Sequence, residues 1–282
     1  MKIAIIGASG FLGTKLVNFF SKNNEVFGSD TKERRNLYKL DATKQEDVDK
    51  FFLKYNPEVV IDTVALTSSV TCERNPNLCK KLNYETAKNI AKGCKKIGAR
   101  MVFISSSYIF DGKKGSYKET DKPSPKNEYG KQKILAEKEV LGVKDSIVVR
   151  VDVMYGLDES TGKIKVGTGL FNKEIIEMGD NDLIRSPLYI KDLPKIISTL
   201  LEKNQSGIFN VAGSKKINLF SFMEEVSSII PNGPKIKLVD NSNWIVKSPK
   251  NSSLDISKIN SLDIQTTSPE EALKELKKLT NH

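Results

Sequence analysis

Histidine is almost missing from this chain: the only one is the last of its 282 residues, His282. A folded active site can hardly recruit a terminal side chain, so Ser-His-Asp hydrolysis, histidine-based hydride transfer and histidine metal sites are excluded together. Cysteine is scarce too. Cys72, Cys79 and Cys94 form no Cys-x-x-Cys pair and no zinc-ligand spacing, so neither a metal nor a disulfide framework is expected. They read as small buried or half-buried residues in a reducing compartment. No apolar run approaches the ~18 residues of a membrane span. Met1-Lys2, followed at once by a strand and a glycine turn, does not read as a secretory signal. The expected location is the cytoplasm, without membrane association, and there is no internal repeat or low-complexity tract.

What is abundant is lysine. The formal net charge is +10, yet the lysines are spread over helix faces, as at Lys88, Lys92, Lys95 and Lys96 or Lys274, Lys277 and Lys278. That pattern describes a solvated surface rather than a nucleic-acid site, and no nucleic acid is expected as a partner. Its field would still help to draw in anionic small molecules. The length suggests about two domains, and 38% apolar residues supply a sizeable core.

The N-terminus carries the first chemical signal. Residues 1–6 form a short apolar run suited to a buried parallel strand. It leads directly into Gly7-Ala-Ser-Gly10-Phe-Leu-Gly13 and then a helical pattern at Leu12, Leu16, Val17, Phe19 and Phe20. Strand, glycine turn and helix in this order bring backbone amides at a helix N-terminus close to a diphosphate, and a Cβ at Gly7 or Gly10 is expected to block that approach. A second strand over 25–29 ends in Asp30, about 20 residues beyond the turn, where a carboxylate suits the hydroxyls of an adenosine ribose.

The second signal lies in residues 104–133. A strand end, ISSSYIFDG, is followed by a turn-rich loop and then by Tyr129-Gly-Lys-Gln-Lys133 at the start of an apolar helical run. A Tyr and a Lys four residues apart share one helix face, so the ammonium can stabilise the phenolate and bring the tyrosine toward neutrality. Such a phenol can give a proton to a substrate oxygen, and Ser106 at the strand end can hydrogen-bond the same oxygen. The trio describes a carbonyl/alcohol redox site.

These residues resemble the extended short-chain dehydrogenase/reductases, and within them the dTDP-4-dehydrorhamnose reductase branch. Three stretches carry the likeness: Ser106-Ser-Tyr-Ile-Phe-Asp-Gly112; Tyr117-Lys-Glu-Thr-Asp121 with Pro125 and Tyr129-Gly-Lys-x-Lys133; and Pro249-x-Asn251-Ser252-x-Leu254-Asp255-x-x-Lys258. The last is the most discriminating, and the likeness spans nearly the whole chain. It implies NADP or NAD as cofactor and a nucleotide-sugar substrate, and a homodimer is compatible with it. Tyr129 would be the proton donor, Lys133 its electrostatic partner and nicotinamide-ribose ligand, and Ser106 the hydroxyl that aligns the carbonyl. Gly10, Phe11 and Leu12 would face the diphosphate. Asp41 and Ala42 would contact adenine, and Ala65, Leu66 and Thr67 would line the cofactor.

Departures from the family pattern bear on substrate. The usual Thr-Asp is Ser106-Ser107 here, an Asn-Ala-Ala-Ala run is Asp62-Thr63-Val64-Ala65, and an Asp-Lys pair is Val70-Thr71. A tryptophan that packs on the deoxysugar is replaced by Val153, which removes an aromatic face from the sugar subsite. Ser107 and Val153 therefore join Ser106 as candidate substrate residues. The expected reaction is NAD(P)H-dependent reduction of the 4-keto group of a nucleotide-linked deoxysugar. The alternatives are a sugar-nucleotide epimerase with tightly held NAD and a non-catalytic regulatory subunit like the relative that serves methionine adenosyltransferase. Dehydration is disfavoured because Ser107 and Tyr108 stand where dehydratases carry acid/base carboxylates.

The implied fold is α/β, a doubly wound parallel sheet of Rossmann type with a smaller, interlaced C-terminal substrate lobe. Residues 1–155 are expected to bind the dinucleotide, and 156–282 to form mainly the substrate lobe, with a segment near 185–215 returning to the first domain. Residues 113–127 read as a long loop near the strand ends, 162–169 as a mobile loop, 192–203 and 219–230 as helices, and 208–211 as a strand rejoining the sheet.

Overall fold

The computed structural model describes residues 1–171 and 173–280, so His282 lies outside the described residues. From the N-terminus the chain forms β1 (Lys2–Ile6), α1 (Phe11–Phe20), β2 (Glu25–Asp30), β3 (Tyr38–Lys39), α2 (Gln45–Tyr55) and β4 (Val59–Asp62). It continues through α3 (Ser69–Arg74), α4 (Pro76–Lys80), a π-helical turn over Lys81–Glu85, α5 (Thr86–Ile97), β5 (Arg100–Ser106), α6 (Glu128–Leu141) and β6 (Ile147–Val151). Every residue of β4 and β6 is buried, as strands covered on both faces by helices must be. Gly98 ends α5 in the left-handed region, where a residue without Cβ closes a helix at no steric cost.

Beyond β6 come β7 (Met154–Asp158), β8 (Lys163–Val166), β9 (Gly169–Leu170), β10 (Ile175–Met178), β11 (Ile184–Arg185) and β12 (Leu188–Tyr189). Then follow α7 (Asp192–Glu202), β13 (Gly207–Val211), β14 (Ile217–Asn218), α8 (Leu219–Ser228), β15 (Lys235–Leu238), α9 (Ser257–Asn260) and α10 (Pro269–Thr280).

The principal sheet has seven strands in the order β13-β6-β5-β4-β1-β2-β3. β1 pairs in parallel with both β2 and β4, so the chain winds outward in opposite directions from this point. In a doubly wound sheet the crevice at such a reversal, beyond the carboxyl ends of the strands, is where a ligand sits. The fold is the α/β, Rossmann-type architecture that the alternation of strands and helices implies.

The chain divides into two compact units, each assembled from three separate stretches. The first comprises Met1–Ser106, Asn127–Arg150 and Pro194–Phe209, and the second comprises Ser107–Lys126, Val151–Leu193 and the chain from Asn210 on. The core of the first joins Val48, Phe51 and Phe52 of α2, Ile90, Ala91 and Cys94 of α5, Ala136 and Val140 of α6, and inward residues of the sheet such as Val60, Met101 and Phe103.

The second unit holds a four-stranded sheet ordered β12-β7-β8-β9. This corrects the reading of 162–169 as a mobile loop: the stretch is mostly strand, pairing antiparallel with β7 from Tyr155↔Val166 to Asp158↔Lys163. Gly162 and Gly167, both at positive φ, turn the chain at either end of β8, while Ile164 and Val166 alternate inward to join Tyr155, Tyr189 and Phe222 in a core. Residues 113–127 hold no helix or strand and are tied to the C-terminal string. The Tyr117 amide donates to the Ser253 carbonyl at 2.9 Å, Asp255 to Tyr117 at 2.8 Å, and Asn251 to Gly112 at 2.9 Å. The distinctive run from Pro249 to Leu254 is thus the partner that orders this loop.

Candidate active site

The glycine turn is built for close packing first. Gly7 lies at φ +85°, and both its amide and that of Ala8 donate to the Ser29 carbonyl, at 3.1 and 2.9 Å, locking β1 to β2. A Cβ at Gly7 would come within 2.8 Å of the Thr63 hydroxyl, and one at Gly13 within 2.3 Å of the Gly7 carbonyl. These two glycines serve chain conformation and the helix–strand approach. At Gly10, the N-cap of α1, a Cβ would meet only the Gly7 carbonyl, at 3.2 Å, so the space that opens there faces outward. No side chain caps α1, and amides of a first helical turn have no partner within their own helix.

A cleft of about 230 Å³ opens at this turn. Of the residues expected to hold a dinucleotide, it gathers Gly7, Gly10, Asp30, Asp41, Ala42 and Ala65. Leu12 is buried in the core and Gly13 in the helix–strand contact; like Phe11, Leu66 and Thr67, neither lines this cleft. Leu66 is fixed through its backbone: Asn83 accepts its amide at 3.0 Å and donates to its carbonyl at 3.1 Å. Asn83 Nδ2 also donates to the Cys79 sulfur at 3.3 Å. All three cysteines are buried.

Asp30 ends β2 at the rim of the cleft. Its carboxylate accepts from the Ser9 hydroxyl, from Arg34 Nε at 2.6 Å, from the Lys32 amide at 3.2 Å and from the Thr31 hydroxyl at 3.1 Å. Burial opposes its ionisation, but these donors, Ser9 foremost, prevail and hold it down to about 2. The site therefore presents a fixed negative charge, with Arg34 laid across it.

Two strands from β1 in the sheet, β5 ends in Ser106, and α6 begins at Glu128. The helix starts there because the Asn127 side chain caps it, accepting from the Gly130 amide at 2.9 Å. Tyr129 thus sits in the first turn, where the helix dipole favours negative charge on a phenol. One turn on, Lys133 is buried; its Nζ donates to the Ile104 carbonyl at 2.8 Å and lies 4.5 Å from the Phe103 ring centroid and 5.9 Å from that of Tyr129. α6 packs on β5, so the structure places Ser106, Tyr129 and Lys133 on one element pair in the first unit.

The charges behind them are also buried. Glu137 accepts from Arg150 Nε at 3.0 Å and Nη2 at 2.7 Å, and from the Ser105 hydroxyl at 2.5 Å. Burial brings Lys133 down to about 8 against the opposing pull of Asp62 and Glu137. Burial likewise pushes Asp62 up to about 6, against Lys133 and the Val64 amide.

In the second unit, Ser107 is buried and its hydroxyl donates to Asp152 at 2.8 Å. Asp152 also accepts the Ser186 amide at 2.6 Å. The Ser107 hydroxyl proton is thereby committed to an internal carboxylate. Val153 is half-buried beside the core of this unit. Two residues of the first-unit site, Ser9 and Asn83, carry no assignment from the sequence, and Asp62 stands out there only as a departure from the family pattern. Ser9 stands inside the glycine turn, where its spacing to Asp30 could have suggested a bond. Nothing local marks Asn83.

A family profile described as the RmlD substrate binding domain matches residues 1–281. A crystal structure of a hypothetical dTDP-4-dehydrorhamnose reductase from Sulfolobus tokodaii superposes with a TM-score of 0.82 at 32% identity, covering 96% of this chain and 99% of that one. The dTDP-4-dehydrorhamnose reductase of Bacillus anthracis, crystallised with NADP, gives 0.84 at 25% identity with 98% of each chain covered. The bovine methionine adenosyltransferase 2 subunit beta is 28% identical over 282 residues, 95% of this chain and 84% of that protein. With the profile spanning essentially the whole chain, this protein belongs to the RmlD substrate binding domain family of reductases.

Proposed function

We propose that the protein reduces the 4-keto group of a nucleoside-diphosphate deoxysugar, using NADPH or NADH. The observation that carries the reading is the placement of Tyr129 in the first turn of α6, above the buried Lys133 and on the helix that packs against the strand ending in Ser106. The first unit would hold the dinucleotide and the second the sugar. The outward space at Gly10, the fixed carboxylate of Asp30 and the cleft between them fit a dinucleotide. When bound, that cofactor supplies the hydride.

Ser106 would hydrogen-bond the carbonyl oxygen and hold it against the Tyr129 hydroxyl. As negative charge gathers on that oxygen, Tyr129 transfers its proton, and the resulting phenolate is stabilised by the Lys133 ammonium and by the helix N-terminus. The assembled trio favours an enzyme over a non-catalytic subunit. Val153 in place of an aromatic residue favours a sugar pocket less selective than that of a dedicated rhamnose-pathway enzyme. No helix among the described residues is long and apolar enough to cross a membrane, and the reading puts the enzyme in the cytoplasm.

The test is a panel of 4-keto sugar nucleotides assayed with NADPH and NADH. Tyr129→Phe should bind cofactor nearly as well as the wild type while turnover falls on the order of 10²–10⁴-fold, as for a lost general acid. Near wild-type turnover in that variant would put the proton donor elsewhere.

A further inference from the structure

Asp62 stands where the resembled family usually carries asparagine, and the structure gives it surroundings that an amide would not need. It is the last residue of β4 and is buried. Its Oδ1 accepts the Val64 amide at 3.0 Å, a bond that closes the turn after the strand and that an asparagine would make equally well. Its Oδ2 is buried and accepts no hydrogen bond among the described residues.

The parallel register places Asp62 opposite Phe103 on β5. Opposed residues on neighbouring strands project to the same face of a sheet. On that face, the Lys133 ammonium lies 4.5 Å over the Phe103 ring and is bound to the carbonyl of the next residue, Ile104. The carboxylate of β4 and the ammonium of α6 therefore share one buried corner, with only one of the ammonium's three protons committed to Ile104. Other charged and titratable groups bear on this corner. Glu137, on the same helix as Lys133, is occupied by Arg150 of β6 and Ser105 of β5. Cys72 of α3 and Cys79 of α4 act on Lys133, and Cys94 of α5 is acted on by Asp62. Among them Asp62 is the one acid without a counter-ion of its own.

We infer that Asp62, without a direct hydrogen bond or ion pair to Lys133, is its through-space counter-ion, a positioning residue that keeps the buried ammonium charged beside Tyr129. This inference rests on the proposed reductase reading for its consequence in catalysis, but not for the existence of the pair. A buried lysine loses its proton readily, because burial disfavours the charged form. A buried carboxylate nearby offsets that loss, whereas asparagine would not. Removing the negative charge therefore makes Lys133 easier to deprotonate.

Two measurements test it. In Asp62→Asn, which retains the acceptor for the Val64 amide, the basic limb of the kcat/KM profile should move to lower pH by roughly one unit or more. Cofactor affinity, followed by fluorescence titration, should stay within about twofold, since Asp62 is argued to act through Lys133 and not on the ligand. A superimposable pH profile would overturn the inference. The second measurement needs neither substrate nor cofactor: thermal melts of the wild type, Asp62→Asn, Lys133→Met and the double variant. Each single variant strands one buried charge, so the double variant should melt above both. Additive losses would mean that the two side chains do not pair. If Asp62→Asn alone does not fold, recovery of the fold by adding Lys133→Met supports the pair, and failure to recover it counts against. Because the melts are made on the unliganded protein, they judge the pair even if no keto sugar is turned over.

Discussion

Asp30 shows how a single side chain can hold a cofactor choice open. On the proposed reading its carboxylate would meet the hydroxyls of an adenosine ribose, yet Arg34 Nε already lies 2.6 Å away. A 2′-phosphate would compete for that guanidinium, whereas free hydroxyls would engage the carboxylate itself. Arg34→Ala is expected to weaken NADPH binding by roughly tenfold to a hundredfold, the range of a lost charge-assisted hydrogen bond, while sparing NADH. Asp30→Ala should do the reverse. Equal losses of both cofactors in either variant would remove Asp30 and Arg34 from the discrimination. The same acid leaves a mark on stability. Held at about 2 instead of 3.8, it contributes stability that is full above the unfolded value and is lost as pH falls toward 2. Asp30→Asn should flatten the acid side of the stability curve in that window. At this scale the sequence makes position legible where it follows from local spacing: Tyr129 and Lys133 do share one helix, and Asp30 does end β2. Asp62 was visible only as a departure from a pattern, because its meaning depends on a lysine on a helix far along the chain. Asn83 was not visible at all, since its work is done on the backbone of Leu66.

At the scale of elements, the turn between β1 and α1 divides labour among its glycines in a way spacing alone does not reveal. Gly13 is needed because a Cβ there would lie 2.3 Å from the Gly7 carbonyl, whereas at Gly10 a Cβ would meet only that carbonyl, at 3.2 Å, which leaves room for the diphosphate that the proposed function requires. Gly13→Ala should therefore cost on the order of 1–3 kcal/mol of stability, the usual penalty of forcing atoms into a packed contact. Gly10→Ala should melt close to the wild type but bind NADH and NADPH more weakly. Calorimetry and a fluorescence titration on both variants would check this, and a Gly10→Ala protein with undiminished affinity would place the diphosphate away from the turn. The β8–β9 hairpin is the element the sequence hid. Glycines, lysines and a threonine around Ile164 and Val166 look like loop composition, and two inward side chains are too short an alternation to read. Only the core that receives them, with Tyr155 and Phe222, makes the pattern strand.

For the whole molecule, the excess of positive charge is a statement about encounter rather than fold. Both the cofactor and the proposed substrate are anionic, so raising ionic strength should raise KM for each while leaving kcat nearly constant, the effect levelling off once the screening length falls below about 10 Å. A salt-independent KM would mean the lysines do not guide binding. The order of the main sheet has a different consequence, for how the protein is made. β13 is the outer neighbour of β6, yet between them the chain runs through β7 to β12 and α7. While a ribosome is still translating that excursion, β6, buried along its whole length in the finished protein, is an apolar edge with no strand to cover it. The nascent chain is thus exposed to sticking for as long as synthesis takes to reach Val211, and a translational pause within the excursion would lengthen that interval without altering the finished protein at all.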